Sequence, residues 1–191
     1  VVLAGGAKDL VPPIPGVDKK LVCRISEIFG RERELGEKIV VIGGGAVGCE
    51  LTVHLQTLGK RVDVVEMRSQ LIADGAELPE ESFFTKFYMT HELDMARKDL
   101  IGIRETDRVR TYVNTCCEEI ADDGVWVCGE DGERRFLPAD TVILATGFVP
   151  DRRWTESFEG TAPTVIAIGD CDRVRTLLGA SSGGYYAALR I

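Results

Sequence analysis

The stretch from Lys38 to Arg68, KIVVIGGGAVGCELTVHLQTLGKRVDVVEMR, constrains the fold more than any other part of the chain. Lys38 to Ile42 is a short apolar run, the pattern of a strand buried within a parallel sheet. Gly43-Gly44-Gly45-Ala46-Val47-Gly48 then satisfies G-x-G-x-x-G. A helical pattern follows, with Val47, Leu51, Leu55 and Leu58 on one stripe, and Gly59 ends it. A second strand is expected from Arg61 to Val65, and Glu66 stands at its carboxyl end. A lone G-x-G-x-x-G is a weak signal. Strand, glycine turn, amphipathic helix, strand and terminal acid in this order are a specific one.

Each piece has a physical task in holding an adenine dinucleotide. Gly43 permits the tight turn out of the strand, Gly45 lets a pyrophosphate approach the backbone, and Gly48 lets helix and strand pack closely. The helix N-terminus directs unpaired N–H groups and about half a positive charge at the phosphates. Glu66 lies near the position, about 20 residues on, of a carboxylate that binds a ribose 2′-hydroxyl. That carboxylate would repel a 2′-phosphate, so NAD is preferred to NADP. Arg68, two residues further, partly offsets the preference.

The chain of 191 residues is long enough for one large domain or two small ones, and 45% hydrophobic residues support a core. A net charge of -8 argues against nucleic acid as a partner. No apolar run is long enough to span a bilayer, so no membrane partner is expected. The six cysteines, Cys23, Cys49, Cys116, Cys117, Cys128 and Cys171, include no C-x-x-C pair, so no zinc site or dithiol centre is indicated. A vicinal disulfide at Cys116-Cys117 stays open, with two reduced thiols on a strand as the favoured reading. Free cysteines suit a cytoplasmic location. The chain starts at Val1 inside a strand-like run and ends at Ile191 inside a helix-like one, the expectation for a piece of a longer protein.

In chain order, Val1 to Ala7 reads as a strand entering a glycine turn. Val11 to Gly16 carries three prolines and reads as an extended connector. Ser26 to Leu35 reads as a short helix closed by Gly36. After a loop from Ser69 to Leu78, Pro79 opens an expected helix, where Phe84, Phe87, Tyr88, His91 and Met95 form a packing stripe and Arg97 and Lys98 close it. Val109 to Val113 reads as a strand. Cys116 to Ile120, Val125 to Cys128 and Arg134 to Leu137, joined by Asp-Gly turns, read as a three-stranded antiparallel meander. Thr141 to Gly147 and Thr164 to Asp170 are further apolar strands. Arg175 to Ile191 is helix-like, but Gly179, Gly183 and Gly184 weaken it. No Ser-His-Asp or Cys-His constellation is present, so no catalytic side chain is named, and no metal spacing appears.

These motifs together resemble the two-dinucleotide-binding-domain flavoproteins, the pyridine nucleotide-dependent flavin oxidoreductases. VVLAGGA (1–7) and TVILATGFVPD (141–151) look like the family's two "ATG" strands. KIVVIGGGAVGCE (38–50) is similar to the opening of its NAD domain, and TVIAIGDC (164–171) resembles its "GD" motif. VPPIPG, GGGAVGCE, VVEM and IGDC are most similar to the C-terminal part of NADH:flavin oxidoreductases related to dienoyl-CoA and enoate reductases. The family's N-terminal G-x-G-x-x-G for FAD is absent, as are its FMN barrel and cluster cysteines.

The resemblance implies an α/β fold: a Rossmann-like NAD(P)-binding domain (38–147) with a parallel sheet and an antiparallel three-stranded meander. Parts of an incomplete FAD domain flank it, 1–37 with the connector and 148–191. It implies cofactor contacts at Gly43, Gly44, Gly45, Ala46, Val47, Gly48, Glu50, Glu66, Met67, Arg68, Ala145, Thr146, Gly147, Gly169 and Asp170. Glu50 would help position the nicotinamide end, and Asp170 would meet the flavin ribityl chain. The implied cofactors are NAD(H) and, at a partial site, FAD; FMN and an iron–sulfur cluster belong to the full-length protein. The implied partners are the FMN barrel and the rest of the FAD domain of the same chain. The implied activity is hydride transfer from NADH to FAD and onward to an activated alkene, with this segment alone inactive. The alternatives are a non-catalytic nucleotide-binding or redox-sensing module and a piece of a disulfide reductase.

Overall fold

The computed structural model describes residues 1–72 and 108–191. The expected helix from Pro79 and most of the loop before it lie outside the described residues. The elements are β1 (Val2–Leu3), β2 (Ala7–Asp9), β3 (Val22–Arg24), α1 (Ile25–Ile28), β4 (Lys38–Ile42), α2 (Ala46–Thr57), β5 (Arg61–Val65) and β6 (Val109–Tyr112). After these come β7 (Cys116–Ile120), β8 (Gly124–Cys128), β9 (Arg134–Pro138), β10 (Thr141–Leu144), β11 (Phe148–Pro150), α3 (Arg152–Glu156), β12 (Ile166–Ala167) and α4 (Leu177–Ala188). They group into two compact units, Val11–Thr146 and Val1–Leu10 with Gly147–Ile191.

The larger unit is built on a five-stranded parallel sheet of order β3-β10-β4-β5-β6. All of β10 is buried, and so is β4 beyond Lys38. That burial explains why both read as continuous apolar runs rather than alternating ones. Val40, Ile42, Val65, Val142 and Leu144 pack on one face against Ile120, Val125, Val127 and Leu137 of the antiparallel sheet β7-β8-β9. Each such buried aliphatic side chain contributes about 1.5–3 kcal/mol. Neighbours along each strand point the other way, toward the side where α2 lies against β4 and β5. The α/β class, the parallel sheet and the three-stranded meander are as the sequence predicts.

Three local expectations change. The buried face of α2 is Gly48, Cys49, Leu51, Thr52 and Leu55, whereas Val47 is 38% exposed. Gly48 faces the sheet, and that rotates Val47 outward. The helix expected over 26–35 is instead α1 and a separate 3-10 turn, Glu32–Glu34. Gly30 breaks it with φ +79. Strand β3 was not foreseen: Val22, Cys23 and Arg24 pair with Val142, Ile143 and Leu144. This pairing carries residues 11–37 into the larger unit, whereas the sequence pattern puts the boundary at 37/38.

In the smaller unit, β1 and β12 pair in parallel, with Val2 opposite Ile166. Strands β2 and β11 pair antiparallel, with Phe148 opposite Asp9. The single strand expected over 1–7 is split, with Gly6 at φ +75 in the bend. Helix α4 forms despite its glycines; the Thr176 hydroxyl caps it by accepting from the Gly179 amide. Among the described residues no helix is long and apolar enough to cross a membrane.

Candidate functional site

The carboxyl ends of β4 and β5 and the start of α2 form the corner where the glycines meet. Gly43 has φ +111, and its amide donates to the Val65 carbonyl at 2.9 Å. A Cβ on Gly43 would strike the Ala145 carbonyl, and a Cβ on Gly48 would strike the Gly43 carbonyl. At both positions, hydrogen is the only side chain that fits. Gly45 differs. Its φ of -71° and ψ of -179° suit any residue, and a Cβ would meet nothing within 4 Å among the described residues. What the absent side chain leaves at Gly45 is open space beside bare backbone.

Helix α2 starts from Gly45, which brings no side-chain cap, and no acid occupies its first turn. Its leading amides, Ala46 and Val47 among them, therefore keep their positive end for an external anion. Val47 is exposed at this end, and Glu50 lies exposed one turn further on.

Glu66 is 9% exposed and held on every side. Its amide donates to the Tyr112 carbonyl at 2.8 Å, and its carbonyl accepts from the Thr115 amide at 3.0 Å. Its carboxylate accepts from the Gly44 amide at 2.7 Å and from the Arg68 amide at 2.8 Å. Charge-assisted bonds of this kind contribute about 1.5–3 kcal/mol each. A carboxylate offers about four lone-pair sites, so acceptor capacity remains for a sugar hydroxyl. Glu66 thus carries a task that the sequence pattern did not reveal: it clamps the glycine loop onto the end of β5.

Three other residues that sequence reasoning missed complete the clamp. The Gly44 carbonyl accepts from the Ile72 amide at 2.7 Å and from the Cys49 thiol at 3.4 Å. The Leu71 side chain leaves no room for a Cβ on Gly44. Ile72 holds φ 53, rare for a β-branched residue. Only Cys49 lay inside the recognised motif; the others arrive through tertiary contact. The peptide of Gly44 is pinned at both its N–H and its C=O, so the loop is set before any ligand arrives.

The remaining expected contacts divide between the units. Met67 is 71% exposed and Arg68 is exposed beside Glu66. The Arg68 carbonyl accepts from the Asn114 amide at 2.8 Å. Ala145 is buried, with its amide on the Ile42 carbonyl at 2.8 Å, and Thr146 follows half-buried. These belong to the larger unit, with the glycine loop. Gly147, Gly169 and Asp170 belong to the smaller one. Gly147 has φ +99, and its carbonyl accepts from the Leu10 amide at 2.9 Å. Gly169 has φ +63 at the start of a 3-10 turn, and the Asp170 carboxylate accepts from the Arg175 amide at 3.2 Å.

A family model described as pyridine nucleotide-disulphide oxidoreductase matches residues 1–184. Cinnamate reductase of Clostridium sporogenes is 26% identical over 191 residues, an alignment covering 100% of this chain and 26% of that protein. NADH oxidase of Thermoanaerobacter brockii is 30% identical over 197 residues, covering 100% of this chain and 28% of the oxidase. A solved 2-naphthoyl-CoA reductase in complex with 2-naphthoyl-CoA is similar at a TM-score of 0.81 and 28% identity, covering 100% of this chain and 26% of that one. The chain thus spans little more than a quarter of the length of these relatives.

Proposed function

Because this chain belongs to the pyridine nucleotide-disulphide oxidoreductase family, whose members are NAD(H)- and FAD-dependent oxidoreductases, we propose that it is the NADH-binding module of a flavin-dependent reductase. The observation that carries this reading is the open, side-chain-free backbone at Gly45, beside a helix start to which Gly45 brings no side-chain cap. A dinucleotide's pyrophosphate is the anion such a corner suits. The bound nicotinamide supplies a hydride and the flavin accepts it.

The chain's own residues bind and orient. The amides of Gly45, Ala46 and Val47 hold the pyrophosphate, and Gly44 and Gly43 fix the loop that presents them. The spare acceptor capacity of Glu66 holds the adenosine ribose, and Met67 and Arg68 flank it. Glu50 positions the nicotinamide end. Gly169 and Asp170 contribute to the flavin's ribityl chain. The unit made of Val1–Leu10 and Gly147–Ile191 is part of an FAD domain, with the rest supplied by the full-length protein.

In that longer protein an FMN barrel and an iron–sulfur cluster would supply the onward path for electrons to an activated alkene. The relatives that reduce cinnamate and 2-naphthoyl-CoA support a conjugated acceptor. The test is anaerobic addition of NADH to the full-length protein purified with its flavin. Bleaching of the flavin absorbance is expected. Nucleotide binding with no bleaching would contradict an enzyme and support a sensing module.

A further inference from the structure

On the sheet β7-β8-β9, Cys116 stands directly opposite Cys128 on the neighbouring antiparallel strand. Residues so paired share one face, with Cα atoms about 4.5–5.5 Å apart. That span lies inside the roughly 4.4–6.8 Å that a disulfide bridges. The face is the outer one. Val125 and Val127 belong to the core cluster, so Trp126 and Cys128 point away from it. Cys117 points inward instead: it packs against the core cluster, and burial pushes its thiol up to about 11. This opposition rules out the adjacent pair Cys116-Cys117 as the reactive one. No disulfide joins any of the six cysteines in this structure.

We propose that Cys116 and Cys128 are a thiol modification site, a redox couple that closes to a cross-strand disulfide. The oxidant is a small hydroperoxide, with hydrogen peroxide as the simplest case. Cys116 is exposed and Cys128 half-buried, so peroxide meets Cys116 first. The Cys116 thiolate attacks one peroxide oxygen, the O–O bond breaks, and hydroxide leaves, giving a sulfenic acid on Cys116. The Cys128 sulfur then attacks the Cys116 sulfur, the S–O bond breaks, and water leaves as the S–S bond forms. Two thiols lose two electrons and two protons, and one peroxide becomes two waters.

The surroundings fit this order. Burial and the adjacent Glu118 carboxylate raise the Cys128 thiol above its ordinary value, which keeps it protonated and slow to react with peroxide itself. Glu118 also takes a hydrogen bond from the Arg134 guanidinium at 2.9 Å, and Arg134 lies over the Trp126 ring. The carboxylate beside Cys128 is therefore fixed in place, where it holds that thiol in reserve until Cys116 has reacted.

The test is peroxide titration of the reduced protein, followed by thiol counting under denaturing conditions and peptide mapping. The expected result is loss of two of the six thiols, one peptide pair joined through Cys116 and Cys128, and full reversal by dithiothreitol. Cys117→Ser should leave the link intact, and Cys116→Ser should abolish it. Any of three results would overturn the proposal: a link through Cys117, no loss of thiols, or over-oxidised Cys116 with Cys128 still free. The wild-type map alone decides the matter if a variant fails to fold.

Discussion

Gly45 and Gly48 are separated by one turn of helix yet answer to different constraints. A side chain on Gly48 would run into the Gly43 carbonyl, and one on Gly45 would enter open space. Gly48→Ala should therefore lower stability by about 1–3 kcal/mol, the ordinary range for overpacking. Gly45→Leu should leave the melting temperature nearly unchanged and abolish NADH binding. Thermal denaturation and calorimetric titration of both variants separate the two roles. Equal loss of stability in both would mean that Gly45 is also structural. If Glu66 holds the ribose as proposed, it also bears on cofactor choice, because its carboxylate would repel a 2′-phosphate. NADH should bind more tightly than NADPH, and Glu66→Gln should narrow that gap as well as weaken NADH. An unchanged ratio in the variant would take Glu66 out of the ribose corner. The glycines and Glu66 were legible in the sequence because their spacing is local. The bonds from Ile72 and Glu66 that pin Gly44 were not, because they depend on segments folding back onto the loop.

Strand β5 carries a charge into the sheet. Asp63 is half-buried and stands opposite Arg110 on β6. Burial raises its pKa, and Arg110 only partly counters that. A carboxyl whose folded pKa lies above its unfolded value binds its proton more readily in the folded state. Its ionisation then costs stability above the folded pKa, and the cost vanishes below the unfolded one. Asp63→Asn should raise the melting temperature at pH 7, with the gain fading as pH falls through the carboxylate range. A gain that persists at low pH would show that titration is not its cause. Helix α4 offers a second check: a Cβ on Gly184 would meet only Ile168 Cδ1 at 3.9 Å. Gly184→Ala should stabilise by about 1 kcal/mol in denaturant titration; destabilisation would indicate a close approach there. Strands β4 and β10 could be read in advance because each has four consecutive buried residues, and β5 because Val62, Val64 and Val65 follow closely on the glycine that ends α2. Strands β3, β2 and β11 could not, since each has three residues and exists through its pairing partner.

At the scale of the molecule, a chain of net charge -8 must attract an anionic dinucleotide against its own field. Local groups have to supply that attraction: the start of α2, where Gly45 brings no side-chain cap, and the amides of a loop already pinned by Glu66 and Ile72. The α/β architecture and its meander followed from patterns that repeat over many residues. The position of the smaller unit's boundary did not, because the proline-rich connector hides which sheet the following segment joins. The most direct test is a crystal of this chain soaked with NADH. Density for the diphosphate within hydrogen-bonding distance of the Gly45 and Ala46 amides is expected, with the adenosine ribose at Glu66. A dinucleotide bound away from the β4–α2 turn would contradict the assignment outright.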